Sequence, residues 1–341
     1  MFDELLKCLC LPCILQFGVM GQEKCFYEDL DLESNETFRT SDGENYLKCN
    51  GFLFPPLIKK FADRIRKMEV RDDDIWVCSF PKSGTTWTQE MVWCLANGKK
   101  KDEEAVEKPI FERFPFLEIS FFYGANEPMG SENSVEDVEK LASPRFIKTH
   151  LPFNLLPENL RNFSTNAKII HVMRNPRDVS ISFYHHLSKL FISYYGSFPH
   201  FVEMFFKGIV PYGPFPAHLK GYLAHEESPN ILFLKYEEMK KDLRTVMHKT
   251  ANFIGKSIGE SEVEKLLDHL SFSKMKQNPA VNYRSVLEAL KKSSMADKNE
   301  DQFMRRGIVG NWKEKLDPEL CVKFQRWEDE TMNGINFTFS V

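Results

Sequence analysis

The stretch IWVCSFPKSGTTW, residues 75–87, decides the fold class. Its first six residues form a short apolar run that is typical of a buried strand. The loop after Phe80 leads into an apolar-periodic helix that ends at Asn97-Gly98, a common C-terminal signal. Similar apolar runs follow, separated by helical patterns, at residues 145–149, 168–173 and 231–236. We therefore predict an α/β fold, a single domain whose central parallel sheet is flanked by helices.

Composition and charge exclude several classes of protein. The chain has 341 residues, of which 42% are hydrophobic and 28% charged, which argues against collagen-like, coiled-coil and disordered chains. Lys and Arg total 45 against 49 Asp and Glu, so the net charge is −4 and a nucleic-acid partner is not expected. We place the folded domain at residues 46–341 and a Cys-rich, acidic N-terminal extension at 1–45.

The N-terminal extension permits three interpretations. Cys8–Met20 is apolar and uncharged but too short to span a membrane. Asp3 and Glu4 precede it, which disfavours a secretory signal. The other two interpretations are a segment packed on the domain and, if Cys8, Cys10 and Cys13 are acylated, a membrane tether. The cysteine spacing shows no disulfide or metal pattern, so we expect reduced thiols and a cytoplasmic protein.

The loop after the first strand has the composition of an anion site. Gly84 and the hydroxyl residues Thr85 and Thr86 let backbone N–H groups converge at a helix N-terminus, and Lys82 adds a cation. Lys82 precedes Gly84, so this is not a Walker A loop and no bound metal is expected. The simpler alternative is that these residues only cap the helix.

The segment Lys82–Trp87 resembles the 5′-phosphosulfate loop of the cytosolic sulfotransferases, a P-loop-like element. Two further segments match that family, and the resemblance spans Leu53 to Phe339. It implies 3′-phosphoadenylyl sulfate (PAPS) as sulfuryl donor and adenosine 3′,5′-bisphosphate (PAP) as product. An invertebrate member of the family is one option.

The second matching segment, HVMRNPRDVSIS (171–182), again runs from a strand into a helix. Asn175 as N-cap, Pro176 at the first helical position and Asp178 at the third predict a well-defined helix start. The resemblance assigns Arg174 and Ser182 to the 3′-phosphate, a role in which an arginine can donate two hydrogen bonds. The alternative is an ion pair between Arg174 and Asp178.

The third matching segment is Arg305-Arg306-Gly307, in which Arg306 replaces the family's Lys and keeps its charge. Asn311 stands where many members have Asp. The resemblance places Trp87 and Phe272 against the adenine, with Tyr236 nearby. The full set of nucleotide-binding residues that it implies is Lys82, Ser83, Gly84, Thr85, Thr86, Trp87, Arg174, Ser182, Tyr236, Ser271, Phe272, Phe303, Met304, Arg305, Arg306 and Gly307.

The catalytic candidates lie at the end of the second apolar run, residues 145–149. Alternation places Lys148 and His150 on one side of the chain and Thr149 on the other. The spacing matches the family's Lys-Thr-His element, which implies His150 as general base, with Lys82 and Lys148 stabilising charge. His171, His185 and His186 are ranked below His150. The resemblance also implies an acceptor pocket lined by Phe61, Pro81, Phe116, Lys148, His150, Phe153, Phe183 and Tyr212.

We therefore predict a sulfotransferase that acts on a small hydrophobic phenol, sterol or other alcohol, in xenobiotic or hormone metabolism. The alternatives are a related alcohol dehydratase, a small-molecule P-loop kinase and a non-catalytic nucleotide-binding protein. A monomer and a homodimer both remain open, because the family's dimer signature is not matched after Lys313.

Overall fold

The predicted parallel sheet is present in the computed structural model, which describes residues 25–30, 38, 44–98, 108–122, 130–190, 194–292, 303–333 and 335. The sheet contains β4 (Ile75–Cys78), β5 (Phe146–Thr149), β6 (Lys168–Met173) and β7 (Ile231–Lys235). All neighbours run parallel, in the order β5-β4-β6-β7. The four apolar runs are thus confirmed as strands of one sheet.

A small antiparallel sheet precedes it, made of β1 (Tyr27–Asp29), β2 (Leu47–Cys49) and β3 (Phe52–Phe54). Its last strand is hydrogen-bonded to the 212–213 loop of the main body. Leu53 N–H donates to Gly213 O (3.1 Å), and Tyr212 N–H donates to Leu53 O (2.9 Å). The domain boundary at residue 45 stays a prediction. Cys8, Cys10 and Cys13 lie outside the described residues, within which no helix is long and apolar enough to cross a membrane.

Helices cover both faces of the parallel sheet. In chain order the described α-helices are α1 (Ile58–Lys67), α2 (Thr85–Asn97), α3 (Ile110–Arg113), α4 (Ser134–Glu139), α5 (Glu158–Arg161), α6 (Pro176–His185), α7 (Phe198–Lys207), α8 (Phe215–Leu223), α9 (Tyr236–Lys241), α10 (Leu243–Phe253), α11 (Glu260–His269), α12 (Phe272–Gln277), α13 (Arg284–Lys292), α14 (Trp312–Lys315) and α15 (Pro318–Thr331). Helix α2 ends at Asn97, as the Asn97-Gly98 signal predicts. The N-cap of α6 is Asn175, whose side chain accepts a hydrogen bond from Arg177 N–H.

The sheet separates two apolar layers. Trp76 and Cys78 of β4 pack into one layer, and Ile75 and Val77 pack into the other, as the two-residue period of a strand requires. Both faces are covered, which explains why the strands are uninterrupted apolar runs. Cys78 and Cys94 are small buried residues of these layers, as expected.

The edge where the four strands end collects the predicted functional residues. Strand β4 leads into the 80–84 loop, β5 into His150, β6 into Arg174 and β7 into Tyr236. Parallel strands end at one edge of their sheet, so these four sequence-distant positions meet there. The fold therefore brings the matched segments to a common place.

Candidate functional site

A single cavity of about 960 Å³ opens at this edge of the sheet. Most of the predicted site residues line it, namely Pro81, Lys82, Gly84, Thr85, Thr86, Trp87, Phe116, Lys148, His150, Arg174, Ser182, Phe183, Tyr212, Tyr236, Phe272, Phe303, Met304, Arg305, Arg306 and Gly307. The cavity has a cationic end around the 80–87 loop and an aromatic end around His150. We call these the nucleotide end and the acceptor end.

Two of the predicted acceptor residues, Phe61 and Phe153, do not line the cavity. Phe61 is 2% exposed and stacks on Phe121 with ring centroids 5.6 Å apart. Phe153 stacks on His225 at 4.1 Å and meets Tyr222 edge-on. Both rings are absorbed by the apolar core, so neither lines the cavity.

Two of the predicted nucleotide residues also fail to line the cavity. Ser271 is the N-cap of α12, and its hydroxyl accepts the backbone N–H of Lys274. Ser83 is buried, with an Oγ that has no hydrogen-bond partner among the described residues.

The 80–87 loop needs glycine where it turns into α2. Gly84 has φ of +109°, and a Cβ there would lie 2.8 Å from the Tyr236 ring, so a side chain is both strained and obstructed. Thr85 starts the helix, and its Oγ1 lies 2.7 Å from Ser79 Oγ. The result is a helix N-terminus whose first N–H groups face the cavity, a favourable place for an anion.

Lys82 places its ammonium group within the cavity. Its Nζ lies 3.3 Å from His186 Nδ1 and 4.3 Å from the centroid of the Phe303 ring. Burial, together with the charges of Lys148, Arg174 and Arg305, lowers the pKa of Lys82 to about 7. A group of cations this close together favours binding of a polyanion.

Arg174 directly follows β6 and forms the ion pair with Asp178 that the sequence left open as an alternative. It donates to Ile308 O (3.0 Å) and lies 3.6 Å from Asp178. Its guanidinium stacks on the Tyr236 ring at 4.2 Å, and its buried Nε has no partner among the described residues. Buried donors normally have a hydrogen-bond partner, so this N–H is available to donate to a bound anion.

Asp178 has a structural role that the sequence did not reveal. Its carboxylate accepts Gly310 N–H at 2.8 Å and Trp312 N–H at 3.0 Å. These bonds dock the C-terminal 305–312 segment onto the start of α6. The signal available in the sequence, an acidic residue in the first helical turn, indicated only a helix start.

The two departures from the family pattern in this segment contact each other. Arg306 donates to Asn311 Oδ1 at 2.5 Å and pairs with Glu314 at 2.7 Å. Gly307 has φ of +62°, and a Cβ there would lie 2.2 Å from the Phe272 ring. Gly307 is therefore required for the 305–307 turn to lie against Phe272.

Trp87 and Tyr236 form the aromatic wall of the nucleotide end. Their rings lie 5.6 Å apart at 68°, and Trp87 Nε1–H donates to Leu270 O at 2.9 Å. Tyr283 also lines this cavity, although the sequence assigned it no role. It belongs to the polar 278–302 region, of which residues 293–302 lie outside the described residues.

At the acceptor end His150 is held between two aromatic rings. Phe116 lies 5.3 Å and Tyr212 5.5 Å from the imidazole, both nearly edge-on. His150 Nδ1 lies 2.8 Å from Ser79 O. A carbonyl only accepts, so Nδ1 carries the proton and Nε2 the lone pair. Burial and the charge of Lys148 hold the pKa of His150 well below its usual value, so the ring is neutral at pH 7.

Lys148 lies beside His150 on the same side of β5, with Nζ 3.9 Å from the Phe116 ring. Burial lowers the pKa of Lys148 to about 8. Thr149 faces away, as predicted from the alternation, and donates to Glu118 Oε2 at 2.8 Å.

Glu118 is a residue that sequence reasoning missed. It is fully buried and accepts the backbone N–H of His150 at 2.6 Å in addition to the Thr149 hydroxyl. These bonds fix the chain at the point where it leaves β5. The contact joins residues 32 positions apart, and no local pattern marks it.

The histidines ranked below His150 have different surroundings. His171 is buried in β6, stacked on Tyr222 at 4.1 Å, and neither ring nitrogen has a partner among the described residues. His186 lines the cavity. Its position four residues after Ser182, on the same helical face, is the signal that could have placed it there.

Glu90 of α2 connects the two ends of the site. Its carboxylate pairs with Arg113 at 2.8 Å and accepts from His269 Nε2 at 2.7 Å. Arg113 precedes the 114–116 segment of the acceptor wall, and His269 precedes Leu270 and Phe272 of the nucleotide wall. Both partners of the Glu90–Arg113 pair are almost fully buried.

Comparison with known proteins gives the same family for most of the chain. The model of the sulfotransferase domain matches residues 72–336. Luciferin sulfotransferase of Photinus pyralis is 39% identical over 307 residues, which cover 87% of this chain and 79% of that protein. Sulfotransferase 1E1 of Homo sapiens is 34% identical over 300 residues, 87% of this chain and 96% of that protein.

Solved structures share the fold. Retinol dehydratase in a complex with retinol and PAP superposes with a TM-score of 0.83 and 27% identity, covering 93% of this chain and 99% of that one. Mouse sulfotransferase SULT7A1 complexed with PAP has a TM-score of 0.64 and 26% identity, covering 85% and 95%.

Proposed function

Because this chain belongs to the sulfotransferase family and is a PAPS-dependent enzyme, we propose that it transfers the sulfuryl group to the hydroxyl of a small hydrophobic acceptor, with His150 as general base. The observation that carries the proposal is the hydrogen bond between His150 Nδ1 and Ser79 O. It leaves the basic Nε2 of a neutral imidazole in a cavity that Lys82 and Lys148 also line.

The nucleotide end has the donor set that PAPS requires. Lys82, the N–H groups at the start of α2 and Thr85 or Thr86 suit the 5′-phosphosulfate, while Arg174, Ser182 and the 305–307 turn suit the 3′-phosphate. The unpaired Nε of Arg174 and the mutual repulsion of the cations support this assignment. Trp87, Tyr236 and Phe272 supply apolar surface for the adenine.

His150 would take the acceptor's proton as the new bond forms. A hydroxyl is a weak nucleophile until a base accepts its proton, and such catalysis contributes about 10²–10⁴-fold. The low pKa of His150 keeps Nε2 unprotonated at neutral pH. Glu118 holds the backbone of His150 at its N–H, and Phe116 and Tyr212 restrict the ring, so its orientation is set before the acceptor binds.

The two lysines would neutralise charge around the reacting group. In the proposed transfer the acceptor oxygen bonds to sulfur, the bond from sulfur to the 5′-phosphate oxygen breaks, and the hydroxyl proton passes to His150 Nε2. Lys82 would stabilise the leaving phosphate and Lys148 the sulfuryl oxygens. Both lysines are partly buried, and charges interact more strongly in such surroundings than in bulk water.

The acceptor end favours an apolar alcohol or phenol. Phe116, Phe183 and Tyr212 present rings to the cavity, with His150 as the base among them. A mainly apolar pocket with few polar groups selects ligands that expose one reactive hydroxyl. A cytoplasmic location and a monomeric or homodimeric state remain predictions.

A second candidate is dehydration of the sulfated alcohol to an alkene. The likeness to retinol dehydratase, with a TM-score of 0.83, favours it. Product analysis separates the two. With PAPS and an allylic alcohol, a sulfotransferase accumulates the sulfate ester, whereas a dehydratase yields alkene and inorganic sulfate in equal amounts.

The test begins with calorimetric titration of the protein with PAP, and with ATP plus Mg²⁺ for comparison. Turnover of PAPS with a panel of phenols and sterols follows, in wild type, His150→Ala and the control His248→Ala, which changes a partly exposed histidine that does not line the cavity. We expect PAP to bind all three proteins and turnover to fall about 10²–10⁴-fold only in His150→Ala. Full activity of His150→Ala would refute the base assignment, and preference for ATP would refute the donor.

A further inference from the structure

The imidazole of His186 touches the lysine of the phosphate loop although it belongs to a different segment. His186 begins a π-helical turn, His186–Leu190, that directly follows α6. Its Nδ1 lies 3.3 Å from Lys82 Nζ, and its ring lies 6.1 Å from Phe303. An ammonium group has only donors, so Lys82 donates and Nδ1 of a neutral His186 accepts.

We propose that His186 is a positioning residue for Lys82: its Nδ1 accepts a hydrogen bond from the ammonium group, which holds that group in the cavity and favours its charged form. The inference rests on the proposed function, because Lys82 matters through the sulfuryl donor. It adds a residue that neither the loop nor the Lys-Thr-His element contains.

The cations around Lys82 destabilise its charged form, which a hydrogen-bond acceptor would stabilise. Lys82 faces three other cations from separate elements, and its Nζ is partly covered by the Phe303 ring. The charged groups around it are Lys148 of β5, Arg174 at the end of β6 and Arg305 of the C-terminal segment. In such a setting a neutral nitrogen acceptor is one of the few groups that stabilise an ammonium ion without competing as an anion for the phosphate.

His186 is suited to remain neutral in this role. Burial and then the charge of Lys82 hold its pKa well below the usual value, and Lys148 and His150 act in the same direction. A protonated imidazole would lose its lone pair on Nδ1 and repel Lys82. The low pKa therefore keeps the acceptor available throughout the neutral range.

Removing the acceptor should make Lys82 lose its proton at lower pH. PAP binding is expected to weaken as pH rises through the pKa of Lys82, because the neutral amine no longer attracts phosphate. In His186→Phe this alkaline limb should move down by about one pH unit, with affinity at pH 8 about tenfold lower than in wild type. His186→Asn, whose amide oxygen also accepts, should restore much of the wild-type profile.

The experiment is calorimetric titration with PAP from pH 6.5 to 9.5 for wild type, His186→Phe, His186→Asn and the neighbouring control His185→Phe. The pKa of Lys148 lies in the same range, so the limb that belongs to Lys82 must be identified. Lys82→Arg does this, because a guanidinium stays charged and the Lys82 limb disappears. His186→Phe is repeated in the Lys82→Arg background, where we expect it to have little effect. Thermal unfolding checks each fold, and His186→Leu replaces His186→Phe if the larger ring does not fit.

The proposal is supported if the alkaline limb of PAP binding moves down in His186→Phe and returns toward its wild-type position in His186→Asn. It also requires that His186→Phe does not move the limb in the Lys82→Arg background. An unshifted limb in His186→Phe, or an equal shift in the Lys82→Arg background, overturns it while leaving the proposed function intact. Absence of PAP binding in wild type is a distinct outcome, because it refutes the proposed function and this inference with it.

Discussion

The two ends of the cavity are built in different ways. At the nucleotide end, Lys82, Arg174 and Tyr236 each lie within a few residues of a strand's last residue, so the sheet itself places them. At the acceptor end, Phe116 precedes a 3₁₀ turn, Phe183 lies on α6 and Tyr212 lies in a loop that is hydrogen-bonded to β3. The nucleotide end follows from topology, whereas the aromatic rings around His150 at the acceptor end depend on long-range packing.

At the nucleotide end the backbone therefore fixes the chemistry, whereas at the acceptor end the side chains set the shape. Cations and helix N-termini at strand ends bind phosphate through local backbone geometry. Aromatic side chains carried by separate segments can change size without altering that geometry. The ends should therefore respond independently to substitution, except at groups that both share.

The largest effect on nucleotide affinity is expected from Arg174→Ala. Loss of charge-assisted hydrogen bonds costs about 1.5–3 kcal/mol, or about 10–100-fold in affinity. PAP should lose this affinity, whereas adenosine 5′-phosphate, which lacks the 3′-phosphate, should lose far less. Calorimetry with both ligands measures the contrast, and the exposed Arg326→Ala is the control. Equal losses for both ligands would contradict the 3′-phosphate assignment.

Acid should act on the layer behind the acceptor end. Burial holds the pKa of His171 well below its usual value and lowers that of His218, which donates to His150 O, to about 4. The unfolded chain therefore binds more protons below pH 6.5, and the free energy of unfolding should fall from there as pH decreases, by up to about 1.4 kcal/mol per pH unit for each such histidine.

Urea unfolding between pH 4.5 and 7.5 tests this acid sensitivity. His171→Leu should reduce the slope of stability against pH, because it removes a group whose native pKa is held well below its unfolded value. The exposed Arg326→Ala should leave the slope unchanged, because it removes no histidine. A slope that persists unaltered in His171→Leu would show that other groups cause it.

The smallest effect is expected from Tyr212→Leu at the acceptor end. The Tyr212 ring lies 5.5 Å from His150 and 5.3 Å from Phe54, and an aromatic pair contributes about 0.5–1.5 kcal/mol. We expect kcat/KM for the acceptor to fall about 2–10-fold, with PAP affinity unchanged. Steady-state kinetics and calorimetry measure the two quantities, and a parallel loss of PAP affinity would mean that the ends are not independent.

The parts of the site that sequence could predict are those with local signatures. The 82–87 loop and the Asn175-Pro176 helix start combine turn residues, caps and flanking strands in one short window, so their place and form follow from the sequence. Strand ends differ from the prediction by one or two residues, as at β4, which ends at Cys78.

The parts that sequence could not predict depend on contacts between distant residues. Phe61 and Phe153 have the same character as Phe116, and only packing decides which ring faces the cavity. Glu118 and Asp178 act through backbone N–H groups far along the chain. No residue pattern marks a partner of that kind.

The carboxylate of Glu90 has a consequence for the exchange of acceptor specificity between relatives. Because it is shared by Arg113 and His269, a chimera that imports the 108–122 segment without an arginine at 113 would leave a buried charge with half its partners. Breaking a buried pair in this way costs about 3–5 kcal/mol. A segment graft made to change the acceptor should therefore transfer residues 90 and 113 together from the same relative.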